Sequence, residues 1–190
     1  MTEQVFSNAR IVLDNEIIEG SVLVKDGLIS DISTGSSHLG ENFEGDYLIA
    51  GLVELHTDHL EQHYSPRPGV TWNKTAAIQA HDAQVASSGI TTVFDCLRLG
   101  SDEDGGFARG EMREMANAIE KAQSENRLRA DHLLHLRCEV ASSDVLEHFE
   151  DFENDPQVKL ISLMDHSPGQ RQFQTLDQYI VFYQKKRGLS

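Results

Sequence analysis

From Gly51 to His63 the chain reads GLVELHTDHLEQH, with three histidines, two glutamates and one aspartate in thirteen residues. If Leu55 to Asp58 is a strand, period-two alternation puts His56 and Asp58 on one face with Glu54, and Val53, Leu55 and Thr57 on the other. An imidazole nitrogen beside a carboxylate oxygen is a donor pair for a divalent cation. The same spacing also occurs at solvated strand ends, so it does not decide the matter alone. His59, Glu61 and His63 follow the strand and read either as supports of the site or as loop residues, His63 as the latter.

Two later segments bear on the question. In HLLHLRCEV, Leu134, Leu136, Cys138 and Val140 form an apolar face, which leaves Leu133, His135, Arg137 and Glu139 on the other. Ionisable groups in file are costly to bury unpaired, so this face is expected to line the mouth of a barrel. The plainer alternative is an Arg137–Glu139 pair on a half-exposed sheet. In LMDHSPGQRQF, Asp165 and His166 stand where a strand becomes a loop, and α/β barrels carry their active sites at the C-terminal ends of strands. With Asp95 included, four successive strands end in polar residues: His56 and Asp58, Asp95, Glu139, then Asp165 and His166. Such oxygen and imidazole donors suit zinc, manganese or magnesium.

Arg67 in YSPRPGVTW and Arg171 in SPGQRQF offer planar guanidinium groups to a phosphate, or to a surface carboxylate. His81 and Asp82 fall in a helical segment, where they either face the site or pack outward. His38 and His148 read as surface residues. There is no glycine-rich phosphate loop, nucleophile elbow or paired CxxC motif.

The elements that must hold these residues follow from pattern. Residues 1–50 contain short strands in VFSNARIVL, EIIEGSVLVK and GLISDIS, with Asp26-Gly27 as a two-residue hairpin signal. Ser33 to Asp46 is polar and glycine-rich and reads as a loop. From there strands and helices alternate: YLIAGLVELHT, an alanine-rich helix stopped by Gly89, ITTVFDCL, a helix with Met112, Met115, Ile119 and Ala122 on one stripe, and HLLHLRCEV. A short helix with Asp144 and Glu147 spaced as a capping box comes next, followed by VKLISLMDH and a final helix. The expected fold is α/β: a small antiparallel β unit over residues 1–50, then about four βα units of a (β/α)8 barrel over residues 51–190.

Sixteen basic against thirty-one acidic side chains give a formal charge of -15, which argues against a nucleic-acid surface. Cys96 and Cys138 lie in apolar runs and suit buried free thiols in a reducing compartment. No basic-then-apolar leader and no apolar run of membrane-spanning length is visible, so a cytoplasmic location away from membranes is expected.

On ELHTDHLEQHYSPRPGVTW, AHDAQVASSGITTVFD, LLHLRCEV and LISLMDHSPGQRQF, the chain resembles the phosphonate-metabolism branch of the amidohydrolase superfamily. The resemblance implies a metal-dependent hydrolase that removes pyrophosphate from a ribose 1-methylphosphonate 5-triphosphate, leaving the 5-phosphate for a carbon-phosphorus lyase. It places His56 and Asp58 on the first-strand metal motif, where the superfamily usually has two histidines, and Glu139 where some members carry a bridging glutamate. Asp165 and His166 become catalytic candidates, and Arg67, His135, Arg137 and Arg171 substrate-binding ones. Superfamily members draw further ligands from later strands, so the 190 residues read as a truncated barrel, inactive alone, or as one completed by a second copy or a complementary half. Two other readings stay open: hydrolysis of a cyclic amide, and a noncatalytic half-barrel that assembles with itself or a partner.

Overall fold

The computed structural model describes residues 2–67, 69–100, 110–167, 169 and 174–187. Contacts divide the chain into two units, Met1–Gly51 and Leu52–Ser190. In the first, β1 (Glu3–Val12) pairs antiparallel with β2 (Ile17–Lys25), which pairs antiparallel with β3 (Leu28–Thr34). Asp26 and Gly27 turn the β2–β3 hairpin at φ 48° and 81°, the positive pair that a type I′ turn demands. A small core of Ala9, Ile11 and Val22 is flanked by Leu13, Ile18, Val24, Phe43 and Leu48.

Two boundaries differ from the sequence reading. The polar Ser33–Asp46 stretch contains β4 (Glu41–Asn42), which adds parallel to β1. YLIAGLVELHT is two strands: β5 (Tyr47–Leu48) pairs with Arg10 and Ile11 of β1, whereas β6 (Leu52–Thr57) opens the second sheet. Its backbone groups are satisfied by different partners on the two sides of Ile49–Gly51, so one apolar run serves two sheets.

The second unit continues with α1 (His59–Tyr64), α2 (Lys74–Ser87), β7 (Ile90–Leu99), α3 (Glu111–Ser124), β8 (Asp131–Glu139), α4 (Val145–Glu150), β9 (Val158–Met164) and α5 (Leu176–Arg187). Its sheet is parallel throughout in the order β6-β7-β8-β9. That is the expected run of βα units, a curled portion of a barrel. His59, Glu61 and His63 all lie within the short helix α1 rather than in a loop.

The main core lies on the helix side of this sheet. Met112, Met115, Ile119 and Ala122, the stripe read from α3, pack there with Ile78, Leu97, Leu99, Leu134 and Leu136. The Asn73 side chain caps α2 by accepting from the Ala76 N–H at 3.1 Å, and Gly89 takes a φ of 79° just beyond the helix end. Asp144 does not cap α4 as its spacing with Glu147 suggested; its carboxylate accepts from Ser142 Oγ at 2.7 Å and faces His148 Nε2 at 3.4 Å. His148, read as a surface residue, is buried, with Nδ1 facing the Gly100 N–H. No helix among the described residues is long and apolar enough to cross a membrane.

Candidate functional site

The inner face of the parallel sheet carries the polar residues of β8, because Leu134, Leu136 and Cys138 are committed to the helix-side core. His135, Arg137 and Glu139 therefore project inward together. An Arg137 Nη1–H donates to Asp58 Oδ1 at 3.1 Å, while Arg137 Nε is buried with no hydrogen-bond partner among the described residues. Glu139 is buried and held by His166 through its ring Nδ1 at 2.5 Å and its backbone N–H at 3.2 Å. The structure thus joins four candidates as two pairs, Asp58 with Arg137 and Glu139 with His166. The Arg137–Glu139 pair considered from sequence is not the pairing found: Arg137 reaches across to β6, and Glu139 to the end of β9.

His56 stands 4.0 Å from Asp58, Nε2 to Oδ1, and its ring packs edge-on against His135 at 5.1 Å between centroids. His135 Nδ1 lies 3.0 Å from the Leu55 carbonyl oxygen and 3.3 Å from Cys96 Sγ, and Nε2 lies 2.8 Å from Ser162 Oγ. Burial lowers the His135 pKa, so the ring is neutral over more of the acid range than an ordinary imidazole. Burial pushes the Cys96 thiol the other way, to about 12. His56, Cys96 and His135 each offer a donor atom within 4.8 Å of the other two. That donor set fits a divalent cation, zinc most naturally, since it combines imidazole with sulfur.

Sequence reasoning missed Cys96 and Ser162 as parts of this face. The signal for Cys96 was present: Val93, Leu97 and Leu99 commit one face of β7 to the core, so Cys96 must look inward. Glu54, by contrast, does not share a simple alternation with His56 and Asp58. It pairs with Val93, the register shifts before Thr57, and its Oε1 turns back to accept the His56 N–H at 2.9 Å.

Asp95 also departs from its reading as a strand-end residue of the mouth. It lies mid-strand on the helix side, fully buried, with one carboxylate oxygen 2.8 Å from His81 Nε2 and the other 2.7 Å from His132 Nδ1. His132 Nε2 faces Asp82 at 3.4 Å, and Asp82 accepts the backbone N–H groups of Arg129 and Ala130. His81 and Asp82 thus turn toward the sheet, but toward its outer surface, away from His135.

Asp165 is exposed and accepts the Ser167 N–H at 3.0 Å; hydrogen bonding within this turn lowers its pKa. Arg67 is exposed in a tight turn in which the Val70 N–H donates to the Arg67 carbonyl at 3.1 Å. Arg171 lies outside the described residues.

No family model matches the chain. It is 43% identical over 188 residues to the alpha-D-ribose 1-methylphosphonate 5-triphosphate diphosphatase of Escherichia coli (strain K12), a match covering 98% of the chain and 50% of that enzyme. The chain therefore spans about half the length of this relative. Among solved structures, a D-hydantoinase superposes with a TM-score of 0.54 at 22% identity, over 93% of the chain and 35% of the hydantoinase. N-isopropylammelide isopropylaminohydrolase from Burkholderia multivorans ATCC 17616 superposes with a TM-score of 0.54 at 14% identity, over 100% of the chain and 59% of that protein. These two likenesses establish the fold, that of the amidohydrolase barrels.

Proposed function

Starting from a chain related to a phosphonate diphosphatase and folded as part of an amidohydrolase barrel, we propose that it serves the metal-dependent hydrolysis of a ribose 1-methylphosphonate 5-triphosphate. The products are the 5-phosphate and pyrophosphate. The observation that carries this reading is the inward file of His135, Arg137 and Glu139 beside His56 and Asp58, which mixes metal donors with an anion receptor.

His56, Asp58 and Glu139 are the residues assigned to a divalent cation, which when bound would lower the pKa of water and neutralise phosphoryl charge. The chain's own residues bind and orient. Arg137 is held by Asp58 through one Nη and keeps its Nε–H for a phosphoryl oxygen, a charge-assisted contact in a partly dry site. Arg67 and Arg171 are assigned to the outer phosphates. His166, fixed against Glu139, and Asp165 are assigned to proton transfer at the strand end. His135, neutral and tethered at both ring nitrogens, orients the ribose side of the substrate.

The chain contributes four parallel strands to the site, and we assign turnover to an assembly in which a second chain or further sequence closes the barrel. The test is release of pyrophosphate from the triphosphate by the 190-residue chain with zinc, manganese or magnesium, alone and with the remaining half of the E. coli diphosphatase supplied in trans. Pyrophosphate formed only with metal supports the reading. Opening of a cyclic amide by the same mixtures, with the triphosphate left intact, would favour the amidase reading instead.

A further inference from the structure

From the inner face of the sheet we infer that Cys96, with His56 and His135, forms a thiolate-containing metal site. This deepens the metal-dependent reading above, rests on it, and moves His135 from the substrate to the ion.

Three observations support it. The donor atoms of the three residues lie within 4.8 Å of one another, so one ion can reach all three with small adjustments. Cys96 Sγ and His135 Nδ1 are 3.3 Å apart, close to the roughly 3.5 Å that separates a sulfur and a nitrogen on one tetrahedral zinc. Asp58, 4.0 Å from His56 and oriented by Arg137, borders the same site and adds negative charge that favours an ion there.

The neighbours of His135 accommodate an ion. In the metal-free ring Nδ1–H donates to the Leu55 carbonyl oxygen at 3.0 Å, and binding an ion at Nδ1 moves that proton to Nε2. Nε2 then carries the ring proton and donates it to Ser162 Oγ at 2.8 Å, the second contact that orients a metal-bound histidine. The thiol gives up one proton to solvent, reached on the side of His56, whose side chain is exposed. Coordination of sulfur rather than a second carboxylate favours zinc over magnesium.

The experiment is cobalt(II) titration of the 190-residue chain, with bound metal measured by equilibrium dialysis and thiolate-to-cobalt charge transfer by near-ultraviolet absorption. Cys138, on the helix side of β8, supplies the control. The expected result is a thiolate band in the parent chain and in Cys138→Ser, lost in Cys96→Ser, with zinc protecting Cys96 from alkylation. Alkylation mapping of the parent chain keeps the test decisive if Cys96→Ser fails to fold. The buried His81–Asp95–His132 cluster contains no sulfur, so an ion bound there gives no such band. Cobalt bound without a thiolate band, or a band that survives in Cys96→Ser, overturns the assignment and leaves metal-dependent hydrolysis standing. Absence of any bound cobalt overturns the site outright. A normal band with no metal-dependent attack on the triphosphate, even with the remaining half of the E. coli diphosphatase supplied in trans, keeps the ion site and overturns the hydrolase reading.

Discussion

Arg137 is held by one acid and keeps a donor in reserve. Its Nε is buried without a partner among the described residues, so a phosphoryl oxygen would satisfy a group that otherwise costs stability. Arg137→Ala is therefore expected to weaken triphosphate affinity by about tenfold to a hundredfold, the worth of a charge-assisted hydrogen bond. Arg137→Lys should recover only part of this, because an ammonium restores the charge but not the planar fork. Isothermal titration against the triphosphate separates the two. A second residue-level expectation concerns Gly100, at the end of β7. It adopts φ 111°, and a Cβ there would stand 2.7 Å from Ser142 Cβ and 3.2 Å from Glu139 Cβ. Gly100→Ala should lower stability by about 1–3 kcal/mol in thermal unfolding, through strain and displacement of the Glu139 segment. At this scale the sequence was most legible where alternation is regular. The three apolar residues of β8 give away the inward side of His135, Arg137 and Glu139. It was least legible in β6, where a register shift detaches Glu54 from His56, and at Asp95, whose charge hides that it occupies a core position.

The elements of the second unit are tied together by the network that Asp95 organises. Helix α2 supplies His81 and Asp82, β7 supplies Asp95, β8 supplies His132, and the turn before β8 supplies two backbone donors. Removing one member leaves buried charge uncompensated, so Asp95→Ala is expected to cost about 3–5 kcal/mol by chemical denaturation. The network also sets a pH window. Burial acts to lower the His132 pKa, but hydrogen bonds and charge from Asp95 and Asp82 outweigh it and raise the value above 6.5. Its stabilisation is thus complete below pH 6.5 and is lost as pH rises through the raised value. For Asp82, burial acts upward, but the Ala130 and Arg129 backbone donors and His132 outweigh it and hold the pKa below 3.8. That contribution is present above pH 3.8 and fades as pH falls through the lowered value. Stability from this pair should therefore be greatest between about pH 4 and 6.5, and His132→Asn should flatten the alkaline side in melts taken across the range. Most element types were readable from pattern, since caps and stripes such as Asn73, Gly89 and Met112–Ala122 act locally. The split of YLIAGLVELHT was not, because only long-range partners decide which sheet each half joins.

At the scale of the whole molecule, the parallel sheet has β6 and β9 at its ends, each hydrogen-bonded to one neighbouring strand among the described residues. On β9, Leu163 is 75% exposed and Ile161 48%. An apolar strand with an open edge invites pairing with another chain. The chain is expected to associate as its concentration rises, and Leu163→Lys to shift light-scattering masses toward the monomer. The order of the sheet was legible in advance, because four βα repeats leave few ways to arrange parallel strands. The partner that covers its edge is not written in local pattern, since many apolar surfaces satisfy the same strand. Strand β8 has a further consequence, for how such a chain can diverge. Its seven positions from His132 to Cys138 alternate between a network-and-core side and the inner side that carries His135 and Arg137. A single inserted or deleted codon would exchange the two sides downstream, sending Arg137 toward Leu97 and Leu136 into the mouth. Lineages can therefore replace letters in this strand one at a time, but its length must descend unaltered, and gaps among relatives should fall in the loops on either side.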